Sequence, residues 1–186
     1  MKSTDTIDKR IQLDIKVIND IVHEVRNKPN LKMLVFGLGY DSKLWFKELG
    51  KNVYFVEHDK KYVNLNNTIP QKNIIEYGYR NINVYDSLKR VQNTSYIESY
   101  KMPTELAKVG PFDIILIDGP LGYSSNTPGR LLPMYWAKHR LSKADTLIYV
   151  DDIKRPLESK CYDAYFSQLS TEIFQERGGC AKIRIP

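Results

Sequence analysis

Cysteine is scarce, with only Cys161 and Cys180 in 186 residues. Two cysteines at that spacing build neither a disulfide framework nor a zinc site, so both are expected to be ordinary reduced residues. No stretch approaches the roughly 20 apolar residues of a membrane helix. The opening MKSTDTIDKRIQLDIK also lacks the apolar block of a signal peptide. A soluble, cytoplasmic protein with no membrane span is the expectation. Lys and Arg exceed Asp and Glu by 28 to 22, a net charge of +6. Yet no run of five or six like charges occurs, so the concentrated basic stripe of a nucleic-acid binder is missing and no nucleic-acid partner is expected. Repeats, low-complexity tracts and linkers are absent too. Apolar content of 42% and charged content of 27% are ordinary for a globular protein. One domain over residues 1–186, with a substantial core, is expected. Nothing in the sequence bears on oligomeric state.

What is present is an alternation of helical and strand patterns. Ile7, Ile11, Ile15, Ile18, Val22 and Val25 recur at three- and four-residue spacing, which predicts an N-terminal helix over about 7–27. KMLVF and NVYFV are short apolar runs that predict the first two strands, with helices in DSKLWFKEL and DKKYVNLNNTI after them. INVY, residues 82–85, predicts a third strand. FDIILID (112–118) and DTLIYVDD (145–152) predict the fourth and fifth, with a helix in RLLPMYWAKHRL between them and another from Pro156 to Leu169. The end, TEIFQERGGCAKIRI, reads as an antiparallel hairpin turning at Gly178-Gly179. The predicted class is α/β: a mostly parallel seven-stranded sheet with helices on both faces and a C-terminal antiparallel hairpin. That is the Rossmann-like layout of class I methyltransferases.

In an open α/β sheet, ligands lie over the carboxyl ends of the strands. Gly37 and Gly39 follow the first strand and would let a ligand approach the backbone closely. Asp41 or Ser42 can cap the next helix, whose N-terminal amides favour a carboxylate. A tight structural turn is an equally good reading of the glycines alone. Glu57 ends the second strand, where an acid can accept hydrogen bonds from both hydroxyls of a ribose. The pair occurs in nicotinamide and in S-adenosylmethionine sites. The third glycine of G-x-G-x-x-G is missing, since Ser42 stands there, and this favours S-adenosylmethionine. Asp86, after the predicted third strand, would approach the adenine amino group. His58 would sit near the cofactor.

Asp118 ends the fourth strand and Asp151-Asp152 the fifth. Carboxylates converging there repel one another unless protonated or bridged by a cation. Oxygen-only ligands suit Mg²⁺, Mn²⁺ or Co²⁺, so Asp118, Asp151 and Asp152 form a candidate metal set. Without a metal, Asp118 or Asp152 is a candidate general base. Capping, or pairing with Arg155, is the structural alternative. Asp118-Gly119-Pro120-Leu121 lacks the second proline and the aromatic residue of nucleic-acid amino-methyltransferases, and no Pro-Cys nucleophile exists. Hydroxyl methylation fits better. Over the crevice runs GYSSNTPGR, residues 122–130. Tyr123 is a candidate for stacking on a sugar, and Arg130 and Arg155 are candidates for pairing with an acceptor carboxylate. Arg130 is also counted with the catalytic acids.

LVFGLGYDSKLW, VYFVEHD, FDIILIDGPLGYSSNTPGR and IYVDDIKRPLE resemble, in order, blocks of the glucuronoxylan 4-O-methyltransferase family, also called the domain-of-unknown-function 579 or polysaccharide-biosynthesis group. The resemblance spans roughly residues 34–158. It implies a class I fold, S-adenosylmethionine as donor, the 4-hydroxyl of a glucuronic acid as acceptor, and divalent-metal dependence. It assigns Gly37, Gly39, Asp41, Ser42 and Glu57 to the cofactor side. Asp118, Tyr123, Arg130, Asp152 and Arg155 fall on the chemical side. The family's acidic pair is here Glu57-His58, and its His-Asp is here Asp151-Asp152. The reading is therefore an O-methyltransferase of a carbohydrate acceptor. The alternatives are a metal-dependent catechol-type O-methyltransferase, a non-catalytic binding module that kept the fold, and an RNA 2′-O-methyltransferase.

Overall fold

A computed structural model describes residues 10–186 of the chain. Helix α1 spans Ile15–Asn27, and its buried stripe is Val17, Ile18, Ile21 and Val25. It starts later than the apolar spacing predicts, because Asp14 takes the N-cap and accepts a 2.7 Å bond from the Lys16 amide. Ile11 precedes the helix, and Ile7 lies outside the described residues. There follow β1 (Met33–Phe36), α2 (Ser42–Leu49), β2 (Val53–Glu57), α3 (Lys60–Leu65) and β3 (Ile74–Glu76). Three short helices come next: α4 (Val84–Arg90), α5 (Thr94–Glu98) and α6 (Thr104–Val109). Then come β4 (Phe112–Ile117), α7 (Leu131–Trp136), β5 (Ser142–Asp151), α8 (Pro156–Tyr165), β6 (Thr171–Phe174) and β7 (Cys180–Arg184).

The strands form one sheet in the order β3-β2-β1-β4-β5-β7-β6. Its first five members are parallel, and β7 is antiparallel to both β5 and β6. Because side chains alternate along a strand, β1 sends Leu34 and Phe36 into one core and Met33 and Val35 into the other. The second core holds the α1 stripe and Trp45 of α2; the first holds Leu131 and Leu132 of α7 and Leu157 of α8. Burial on both faces is what makes the central strands uninterrupted apolar runs.

One predicted element is wrong. The third strand is Ile74–Glu76, not residues 82–85. Ile82 and Val84 are apolar because they enter the core from a loop and the start of α4. Asn83 caps that helix, its side-chain oxygen accepting from the Asp86 amide at 2.8 Å. The true strand is only three residues long, too short to show a periodicity of its own.

Candidate active site at the strand tips

Between β1 and β4 the strand order reverses, and the crevice at the carboxyl ends opens there. It holds a cavity of about 420 Å³, well within the range of small-molecule sites. Gly37 sits at φ +113°, which L side chains rarely adopt, so glycine is required by the turn itself. A Cβ on Gly119 would come within 3.0 Å of the Gly37 Cα. The two glycines thus let the turns after β1 and β4 press together, and both line the cavity.

On the β2 side, Glu57 is buried and ties two loops together. Its Oε1 accepts from the amides of His58 at 2.6 Å and Asp59 at 2.8 Å, and faces His58 Nδ1 at 2.9 Å. Its Oε2 accepts from the Leu38 amide at 2.9 Å. Burial alone would raise the Glu57 pKa, but the His58 ring and the three backbone N–H groups outweigh it and hold it below the usual value. The same contact raises His58. One lone pair of Oε2 remains for a ligand hydroxyl. Tyr79 packs edge-on against both His58 and Tyr77 along the wall. Its hydroxyl is buried without a partner, an orphaned donor that a nucleoside would satisfy.

On the β4–β5 side the carboxylates of Asp118, Asp151 and Asp152 converge, with oxygens within 4.8 Å of one another. Arg130, fully buried at the start of α7, lies against all three: 3.3 Å to Asp118, 3.8 Å to Asp151 and 2.9 Å to Asp152. It also donates to the main-chain carbonyls of Asp118, at 3.1 Å, and Asp151. Arg155 adds a 2.8 Å pair to Asp152. Asp152 has a left-handed φ of +58° and lies under the hairpin tip, where a Cβ on Gly178 would strike its carboxylate at 2.4 Å. The amides of Ile153 and Lys154 bond the carbonyls of Gly179 and Gly178. Acid remains in excess. Burial pushes Asp151 up to about 8 and Asp118 up to about 6; the charges of neighbouring carboxylates add to this, while Arg130 and, for Asp118, a hydrogen bond with Asp151 partly offset it. Asp41, whose Oδ2 accepts from Trp45 Nε1 at 2.7 Å, is raised by burial and by Asp151.

Of the residues predicted from sequence, Gly37, Gly39, Asp41, Glu57, Asp118, Arg130, Asp151, Asp152 and Arg155 line one cavity. Three do not. Ser42 is wholly buried as the first residue of α2 and does not line the cavity. Asp86 lies in the first turn of α4, bonded to the Asn83 side chain, so it is no adenine contact. Tyr123 stands outside the cavity on the loop surface, 70% exposed. Arg130 changes role: its guanidinium binds strand ends and acids and is not held out for an acceptor carboxylate. Asp41 occupies the N-cap position without making a side-chain cap. Sequence reasoning missed Asp59, Tyr79, the segment 10–13 and Arg177, all in the wall. Tyr79 was findable only with β3 placed correctly. Segments 10–13 and 177–178 meet through a bond from Arg177 to the Gln12 carbonyl, which no local pattern announces.

The resemblance implies two groups here, an adenosyl cofactor and a divalent metal. An adenosyl cofactor fits: the cavity offers an acid with a free lone pair, an orphaned hydroxyl and carboxyl groups at the β4 and β5 tips. A divalent metal fits poorly, because the three carboxylates that would bind it are turned onto Arg130.

A family model described as IRX15/IRX15L/GXM matches residues 13–172. The chain belongs to that family. Among the family's curated proteins, glucuronoxylan 4-O-methyltransferase 1 of Arabidopsis thaliana is 26% identical over 161 residues, covering 76% of this chain and 57% of that protein. Arabinogalactan O-methyltransferase 1 of the same plant is 26% identical over 147 residues, covering 67% and 51%. The chain therefore spans about half the length of the curated relatives it matches. In fold the chain is similar to the methyltransferase PaMTH1 of Podospora anserina, solved with S-adenosylhomocysteine, at TM-score 0.55 and 15% identity, covering 95% of this chain and 80% of that one. Human methyltransferase-like protein 13, also solved with S-adenosylhomocysteine, gives 0.51 at 14% identity, covering 92% and 82%. The fold is that of class I methyltransferases. Among the described residues, no helix is long and apolar enough to cross a membrane.

Proposed function

We propose that this member of the family is an S-adenosylmethionine-dependent O-methyltransferase whose acceptor is a sugar hydroxyl of a glycan, of the glucuronic-acid kind. The observation that carries the reading is the asymmetry of the cavity. One wall is a neutral-to-acidic nucleoside cradle, and the other is a cluster of acids that one buried arginine does not neutralise. When bound, S-adenosylmethionine supplies an activated methyl group on a positively charged sulfur. Gly37 and Gly39 would leave room for the nucleoside against the main chain, and Glu57 Oε2 would accept from a ribose hydroxyl. Asp118, raised to about 6, has a basicity near neutral pH, which suits it to take the acceptor hydroxyl's proton. Asp152 is the second candidate for that proton. Arg130 is a positioning residue that holds both acids at the strand tips. Arg155, paired on one side to Asp152 and about one-third exposed on the side chain, remains to pair with an acceptor carboxylate. Holding donor and acceptor in line supplies most of the acceleration.

Titration calorimetry with S-adenosylmethionine tests the donor: one site per chain is expected, and no binding by folded protein overturns the reading. Labelled-methyl transfer to glucuronic-acid-bearing oligosaccharides tests the acceptor. Turnover of catechols with none of glycans overturns the sugar assignment. In this reading Arg130 occupies the acids that a metal would otherwise bridge, so dialysis against a chelator leaves transfer unchanged. Loss of transfer restored by Mg²⁺, Mn²⁺ or Co²⁺ would return the three acids to metal binding.

A further inference from the structure

Most large apolar side chains of the described residues are buried, but three exposed ones gather on one side of the cavity mouth. Leu121, at the rim, is 46% exposed, Tyr123 is 70% exposed and Tyr85 of α4 is 57% exposed. They belong to one built surface. The loop after β4 closes on itself through the Gly129 amide and the Leu121 carbonyl at 2.8 Å, and turns through Thr127 and Ser124. Its outer limb is bonded to the start of α4: the Tyr85 amide donates to the Ser125 carbonyl at 3.1 Å and the Val84 amide to the Thr127 carbonyl at 2.9 Å. The segments carrying these rings are therefore bonded into one ledge that leads from the rim at Leu121, through Tyr123, to the start of α4 at Tyr85.

We propose that this ledge is an outer subsite for the acceptor chain, on which sugar units beyond the methylated one stack against Tyr123 and Tyr85. The proposal rests on the glycan reading of the cavity and extends it from a single sugar to a polymer. The rings are not a continuous apolar patch of the kind a second copy of the chain would cover. Exposed Ser124, Ser125 and Asn126 lie between them. Isolated rings among hydroxyl and amide groups match a ligand with apolar C–H faces and hydroxyl edges. The positively polarised C–H groups of a sugar face are drawn to the negative face of an aromatic ring. The charge agrees. Lys89 Nζ lies over one face of the Tyr85 ring, 3.5 Å from its centre, which leaves the opposite face for a sugar and favours a chain bearing carboxylates over a neutral one.

The test is direct binding of glucuronic-acid-bearing xylo-oligosaccharides of increasing length to the whole chain, read by titration. Wild type should gain affinity as units are added, and Tyr85→Ala and Tyr123→Ala should each lose about 3- to 10-fold for the long probes. Affinity for the shortest acidic sugar and for S-adenosylmethionine should stay unchanged in both variants. Equal losses on short and long probes, or none on long ones, overturn the proposal. So does a change of oligomeric state in the double variant without a change in sugar affinity, which would make the ledge a contact between copies. Donor binding and transfer to the short acceptor report on the proposed function separately, so the subsite can fail while that reading stands.

Discussion

Two clusters of acid flank β5, and they behave oppositely. On the α1 face, Lys182 of β7 lies 2.7 Å from Asp20 and 3.2 Å from Glu24, and the Tyr149 hydroxyl donates to Asp20 at 2.6 Å. Lys28 reaches Glu24 at 3.9 Å. Acid and base are matched there, and the cluster simply holds α1 to the sheet. Lys182 illustrates the balance: burial would lower its pKa, but its two acids raise it. At the tip of the same strand, Asp118, Asp151 and Asp152, with Asp41 nearby, gather on Arg130, and Asp152 also pairs with Arg155. The surplus raises the carboxyls and opens into a cavity. A matched cluster binds parts of the fold to one another; an unmatched one holds its carboxyls protonated to higher pH. Carboxyls shifted by burial and by like charges, sitting in a cleft, mark a candidate functional site.

The largest test of that contrast is removal of each cation. Arg130→Leu strands several carboxylates together and should cost about 3–5 kcal/mol in urea unfolding. Lys182→Met, whose acids can turn to water, should cost about 1 kcal/mol. Equal losses would break the contrast. Next, Asp118→Asn should lower methyl transfer about 100-fold or more, while folded stability holds or rises because repulsion is relieved. Asp20→Asn should do the reverse, weakening the fold and leaving transfer alone. The third test is pH. Burial pushes the folded carboxyls of Asp118 and Asp151 up to about 6 and about 8, above their ordinary 3.8. Their protonated forms favour the fold, so this contribution is complete below about pH 4 and is lost as pH rises through 6 and 8. Thermal unfolding should show falling stability across that window, and Asp151→Asn should flatten the slope. The smallest effect is Tyr149→Phe, which removes one bond of the matched cluster and should cost about 0.5–1.5 kcal/mol with transfer unchanged.

Most of the sheet was legible. MLVF, VYFVE and FDIILI are strands buried on both faces, so they appear as apolar runs that no loop would carry. The hairpin was marked by Gly178-Gly179. Strand β3 was not legible, because Ile74–Glu76 is shorter than any period, whereas Ile82 and Val84 are apolar for core packing alone. Asp86 was misjudged with it. Among site residues, those at strand ends were found because position along the chain implies position at the tip. Ser42 and Tyr123 lie in the right segments, but direction of the side chain, buried in one case and outward in the other, is not a property of the segment.

The chain's own pattern determined an α/β sheet with glycines after its first strand and acids after its second, fourth and fifth, because burial and turn geometry act over a few residues. Only the tertiary structure decided what the acids face. Arg130 reaches back to Asp118 and across to Asp151 and Asp152, Gly178 makes room for Asp152 from the far hairpin, and residues 10–13 close the wall. These contacts join segments remote in sequence, and charge balance is a sum over all of them, so it exists only once the chain has folded.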